Sequence, residues 1–166
     1  MRYGFRRVEH PATMISKTAT HALRAMVVLA RQPEDAYAGA GAIADEIGAP
    51  QNYLGKLLQH LSREGLVESQ KGHGGGFRLA RAPREIALFD VVESIDQVSR
   101  RQGCFLGQML CSSNAACAVH ERWSKVLETY MSFLKQTTLA DVLAGRGWHD
   151  EKGGRSQGSK RRRVPA

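Results

Sequence analysis

Three cysteines occur in the 166-residue chain, and all fall between positions 104 and 117. Their spacing is Cys104-x6-Cys111-x5-Cys117, and His120 follows Cys117 after two residues. Thiolate sulfur and imidazole nitrogen both bind iron and zinc. Structural zinc sites usually contain two close Cys-x2–4-Cys or His-x3–5-His pairs, because each pair forms a tight knuckle. Only Cys117 and His120 are close in that sense. The wider gaps, in a segment that also holds Gly103 and Gly107, suit a larger object such as an iron–sulfur cluster. On spacing alone, zinc, a thiol switch and three idle thiols stay open beside it. An odd number of cysteines in a reducing compartment argues against structural disulfides.

A second constellation lies between Pro50 and Arg84. It holds Lys56, Arg63, Lys71, Arg78, Arg81 and Arg84 against Glu64 and Glu68, a local charge of +4. The whole-chain charge of +8 is a poorer guide, because the tails carry most of it. Gly145–Ala166 contributes +5 and Met1–Thr13 contributes +2, which leaves +1 for the rest. A basic surface facing nucleic acid therefore belongs to the 50–84 region.

The elements around these groups follow from periodicity. Ala19–Arg31 carries a broad apolar helical face, ended by Gln32-Pro33-Glu34-Asp35. Ala42–Ile47 is a short helix stopped by Gly48. Pro50 suits the first position of the next helix, which runs to about Glu64 with Gly65 as its stop. Tyr53, Leu54, Leu57, Leu58 and Leu61 face inward there. Gln51, Asn52, Gly55, Lys56 and Gln59 face out. Leu66–Ser69 and Phe77–Ala80 read as strands joined by a tip containing Gly72, Gly74, Gly75 and Gly76. Phe89–Ile95 is a fourth helix.

The long helix from Ala116 to about Gln136 carries Val119, Trp123, Val126, Tyr130 and Phe133 at coiled-coil steps. That seam predicts a homodimer, since so small a domain has little core left to cover it.

The fold class is thus mainly α with a small β-hairpin wing: a winged helix-turn-helix plus a long dimerisation helix. Residues 1–13 form an N-terminal extension without helical or strand period. Residues 14–84 form the DNA-binding region, and residues 85–144 the cysteine segment and dimerisation helix. Residues 145–166 form a disordered basic tail. Short helix, turn, second helix and glycine-tipped hairpin are the parts of a double-stranded DNA reader. A helix fits the major groove, and a basic wing lies along phosphates. Gln51, Asn52, Lys56 and Gln59 are the candidate groove contacts. Lys71, His73 and Arg78 are the candidate wing contacts, with Arg81 behind them.

Other function classes are disfavoured. No apolar run approaches the roughly 20 residues a membrane span needs. No export signal is visible, so a cytoplasmic protein is expected. Two strings mimic esterases, His73-Gly74-Gly75-Gly76 and Gly154-Arg155-Ser156-Gln157-Gly158. The first is the wing tip. The second lacks the strand and helix a nucleophile elbow needs, so no enzyme activity is expected.

Tyr53-Leu54, Leu57-Leu58, Leu61, Gly65-Leu66-Val67 and Lys71-Gly72-His73-Gly74-Gly75-Gly76-Phe77 resemble the helix-and-wing signature of a known family. That family is the winged-helix iron–sulfur transcriptional regulators that include IscR and NsrR. Ala22–Met26 and Thr138–Val142 are similar to its first helix and its ending, so the resemblance spans about Met14–Leu143. The resemblance implies a regulator, a repressor in function, whose operator affinity depends on an iron–sulfur cluster sensing redox, nitric oxide or iron–sulfur status. It implies Cys104, Cys111 and Cys117 as ligands, with His120 as the fourth. A 2Fe–2S cluster is favoured over 4Fe–4S. The place where some members supply a carboxylate holds Thr20 here, with His21 beside it. The alternative is a DNA-binding regulator with a thiol or zinc switch and no cluster.

Overall fold

A computed structural model describes residues 14–101 and 118–145. Helices α1 (Lys17–Ala30), α2 (Ala40–Ile47) and α3 (Gln51–Arg63) precede strands β1 (Val67–Gln70) and β2 (Gly76–Leu79). A 3-10 turn at Pro83–Glu85, helix α4 (Leu88–Asp96), a second 3-10 turn at Val98–Arg101, α5 (His120–Gln136) and α6 (Leu139–Ala144) complete the described chain. The two expected tails and Cys104, Cys111 and Cys117 lie outside the described residues.

Helix α1 begins two residues before the expected Ala19. Ser16 stands extended before it, and its hydroxyl accepts from Ala19 N at 3.0 Å, which caps the first turn. Its Ala19, Ala22, Ala25 and Met26 have no exposed surface. Small side chains on that face let other helices approach, and α2, α3, α4 and α6 all pack on α1. Leu54, Leu58 and Leu61 of α3 and Val91 and Val92 of α4 complete one continuous core.

Pro50 is not the first helical residue. At ψ 129° it stands outside α3 as the N-cap residue, and its carbonyl accepts from Leu54 N at 3.0 Å. Gly48 turns the chain between α2 and α3 at φ +68°, the left-handed conformation glycine adopts freely.

The hairpin pairs Val67 with Leu79 and Gln70 with Gly76, antiparallel. A third backbone segment joins it. Ala38 N donates to Phe77 O, and Phe77 N donates to Ala38 O, each at 2.9 Å. This fixes the base of the wing to the loop between α1 and α2. A Cβ on Gly76 would lie 2.4 Å from Ala38 O, so glycine is required there by close approach.

The fifth helix begins at His120 rather than Ala116, with Ala118 and Val119 in a turn before it. Met131 and Leu134 are its buried side chains, and α5 packs on α4. Helix α6 was not expected as a helix. Its start is a capping box: Thr138 N donates to Asp141 Oδ2 at 2.8 Å, and Asp141 N donates to Thr138 Oγ1 at 3.3 Å. The Thr138-x-x-Asp141 spacing was the available signal. The Thr138 N–H, together with the Thr138 hydroxyl that donates to the same carboxylate oxygen at 2.7 Å, holds the Asp141 carboxyl below its usual range.

Met26→Ala should lower the unfolding free energy by about 2–5 kcal/mol, because α1 cannot collapse into the space without moving four packed helices. Urea denaturation of the full chain measures this, and a loss under about 1 kcal/mol would mean that the α1 core is not close-packed.

Candidate nucleic-acid interface

The outward face of α3 forms an open depression of about 640 Å³. Gln51, Asn52, Gly55, Lys56, Gln59 and Arg63 line it from α3, and Ala40 from the start of α2. The physical cause is the amphipathic repeat of α3. Leu54, Leu57, Leu58 and Leu61 are buried, so the intervening residues must face out. Gln51, Asn52, Lys56 and Gln59 are all exposed, as expected. Arg63, one of the basic residues of this region but not among the expected groove contacts, also lies on this face. Its spacing of seven from Lys56, two helical turns, was the signal.

Side chains of this depression differ in reach. Gln51 lies over α2: a Cβ on Gly41 would come 2.8 Å from its Nε2. Gln51 therefore packs at the corner of the two helices. Asn52, Lys56 and Gln59 carry the amide and ammonium groups suited to adenine, guanine or phosphate.

On the wing, Lys71 and His73 are exposed. Gly72 (φ +100°) and Gly74 (φ +79°) make the turn that presents them. Arg78 is placed differently. Its Nε and Nη2 both lie 2.8 Å from Glu68 Oε2, across the hairpin. Asp35 Oδ1 lies 3.6 Å from its Nη1, and the guanidinium stacks over the Tyr37 ring at 5.0 Å. Arg78 is thus engaged within the protein at the wing base, where it ties β2 to β1 and to the α1–α2 loop. Sequence alone could not foresee this, because Glu68 and Arg78 become neighbours only through hairpin register. Arg81 likewise pairs with Asp90 of α4 at 3.9 Å.

Of the proposed metal ligands, the structure describes His120 alone. It is the first residue of α5 and is half-buried. Thr20 uses its hydroxyl within α1, donating to Ser16 O at 3.0 Å. His21 meets Tyr53 of α3 edge-on, with ring centroids 5.6 Å apart. Burial, with Arg24 and Lys17 nearby, holds its pKa below the usual histidine value. These surroundings favour the neutral imidazole. Among the described residues no group of three or more His, Cys, Asp or Glu side chains is placed to hold a metal ion. No described helix is long and apolar enough to cross a membrane.

Gly55 is a stability defect that the fold does not require. A Cβ there would meet nothing within 4 Å, and its φ is not positive. Gly55→Ala should raise the unfolding free energy by about 0.5–1 kcal/mol in urea denaturation. A destabilised variant would show that the backbone at Gly55 is not free.

Comparison with known proteins places these features in a family. Residues 15–145 match the model of the Rrf2 family, described as "Iron-dependent Transcriptional regulator". A putative HTH-type transcriptional regulator of Aquifex aeolicus is 33% identical over 132 residues, covering 78% of this chain and 91% of that protein. The HTH-type transcriptional regulator NsrR of Halalkalibacterium halodurans is 33% identical over 124 residues, covering 74% of this chain and 85% of its own length. Among solved structures, CymR of B. subtilis, the global cysteine regulator, superposes with TM-score 0.67 at 23% identity, over 80% of this chain and 97% of its own. T. potens IscR superposes with TM-score 0.63 at 27% identity, over 89% and 95%. The protein is a mainly helical winged helix-turn-helix chain that belongs to the Rrf2 family of DNA-binding transcriptional regulators, and it is not an enzyme.

Proposed function

We propose that this regulator is a cytoplasmic homodimeric repressor whose operator affinity is set by an iron–sulfur cluster, of 2Fe–2S type, on Cys104, Cys111, Cys117 and His120. The observation that carries the reading is the family match across residues 15–145, with Cys104, Cys111, Cys117 and His120 inside that span. The donor chemistry fits such a group, since thiolates bind iron and a histidine completes mixed ligation. His120 supports the fit from the described side: it opens α5 three residues after Cys117. A bound cluster would supply a redox-labile crosslink among these donors. His120 joins that crosslink to α5, whose face carries the dimer contacts.

Support for the dimer lies on α5. Val126 and Phe133 of α5 are 48% and 54% exposed, one step of seven residues apart, and Val119, in the turn before the helix, is 38% exposed a further seven residues upstream. Such a repeat matches a partner helix at coiled-coil spacing. Trp123 and Tyr130 are half-buried between them, and Tyr130 also packs on the core of its own chain. Two copies would present two α3 helices to successive major grooves, about 34 Å apart. Asn52, Lys56, Gln59 and Arg63 would read or position the groove. Lys71 and His73 would hold phosphates, and Gln51 and Arg78 would set the helix corner and the wing base.

Protein purified without oxygen should be brown, with near-stoichiometric iron and sulfide, and Cys111→Ala should lose that absorption. A colourless protein that binds DNA and stays colourless after reconstitution would instead establish a thiol or zinc switch. Lys71→Ala should lower the salt slope of operator binding by about one. An unchanged slope would remove the wing from the phosphate contacts. Footprinting with loaded and cluster-free protein gives the operator and the direction of the response.

A further inference from the structure

The last turn of α4 joins three parts of the molecule that are distant in sequence. Ser94 O accepts from His60 Nε2 at 2.9 Å. A carbonyl only accepts, so Nε2 carries the proton. His60 lies in the last turn of α3, on the helix that presents the DNA-facing residues. Asp96, 5% exposed, accepts from Ser16 N at 2.8 Å and so holds the start of α1. Glu93 accepts from Ser99 N at 2.8 Å and from the Ser99 hydroxyl. Ser99 belongs to the 3-10 turn Val98–Arg101, which leads directly toward Cys104.

The turn between Asp96 and Ser99 is itself held. Gln97 adopts φ +48°, which non-glycine residues seldom do, and its side chain accepts from Arg100 Nη1 at 3.2 Å. Beside the His60–Ser94 bond lies an open cleft of about 440 Å³, lined in part by Glu64, Phe89 and Arg100. At this edge of the core that α3 and α4 share, the His60–Ser94 bond is a polar link between the two helices.

We propose that His60 is a positioning residue through which the last turn of α4 ties the segment entering the cysteines to the recognition helix. A displacement of Ser99 would be passed by Glu93 to the α4 terminus, and by Ser94 and His60 to the C-terminal end of α3. Asp96 anchors the same turn on α1, so motion is directed toward α3 rather than spread through the core. The inference rests on the cysteine switch proposed above and names the route by which it reaches DNA.

The test compares operator dissociation constants of full-length protein with and without its cluster, by fluorescence anisotropy, in wild type, His60→Ala and His60→Gln. Visible absorption and thermal melts are recorded for each. Expected is a ratio between the two states that falls by roughly tenfold toward unity in His60→Ala, within the usual range of coupling. Absorption should be unchanged. Glutamine keeps a donor and should keep most of the ratio. A wild-type ratio in a folded His60→Ala overturns the proposal. If that variant does not fold, Glu93→Ala, which removes both bonds to Ser99, must lower the ratio instead, and failure to do so overturns the proposal. If the wild type carries no cluster, the cluster reading fails by itself, and the ratio is taken between reduced and diamide-oxidised protein. A wild type with equal affinity in both comparisons also overturns the proposal.

Discussion

Burial of one face of α1 is the constraint on which the other elements depend. Ala19, Ala22, Ala25 and Met26 keep no exposed surface, and four further helices take their positions from that face. The alanines set how closely those helices approach, and Met26 fills the space between them. Burial at about 25 cal/mol per Å² of apolar area makes this the largest stabilising contribution available to a chain of this size. The polar interactions at its edges decide orientation rather than stability. Ser16 and Asp96 fix where α1 begins, and the Thr138–Asp141 box fixes where α6 begins.

The wing is positioned by a different kind of constraint. A two-stranded hairpin is marginal in isolation. Here Ala38 adds a third backbone partner to Phe77, Phe77 is buried against the core, and Gly76 permits the close approach. Arg78 then spends its guanidinium on Glu68, Asp35 and Tyr37. Exposed ion pairs of this sort are individually weak, but a network across three segments fixes geometry. The result is a rigid base with Lys71 and His73 at a free tip. DNA recognition needs that division, because contact groups are useful only when their spacing is held.

Charge distribution follows the same division. Lys56, Arg63 and Lys71 are exposed on α3 and the wing. Arg78 and Arg81 lie behind them and are paired with carboxylates. Local charge from Pro50 to Arg84 therefore overstates the field available to phosphate. The net field is smaller and concentrated at the helix face and the wing tip.

Sequence by itself determined the element order as far as α5, the inward face of α3, the glycine tip and the family, because these depend on local periodicity and on a long motif. It also carried the cysteine spacing, the seven-residue apolar repeat of α5 and the capping box that opens α6. Tertiary structure decided what each charged group does. Arg78, expected from sequence as a wing contact, braces the wing base because hairpin register brings Glu68 opposite it. His60 acquired a partner 34 residues away that no local pattern encodes. The physical reason is common to both. Hydrophobic periodicity is a property of neighbours along the chain, whereas the partner of a polar side chain is set by which distant backbone the core brings within 3 Å of it.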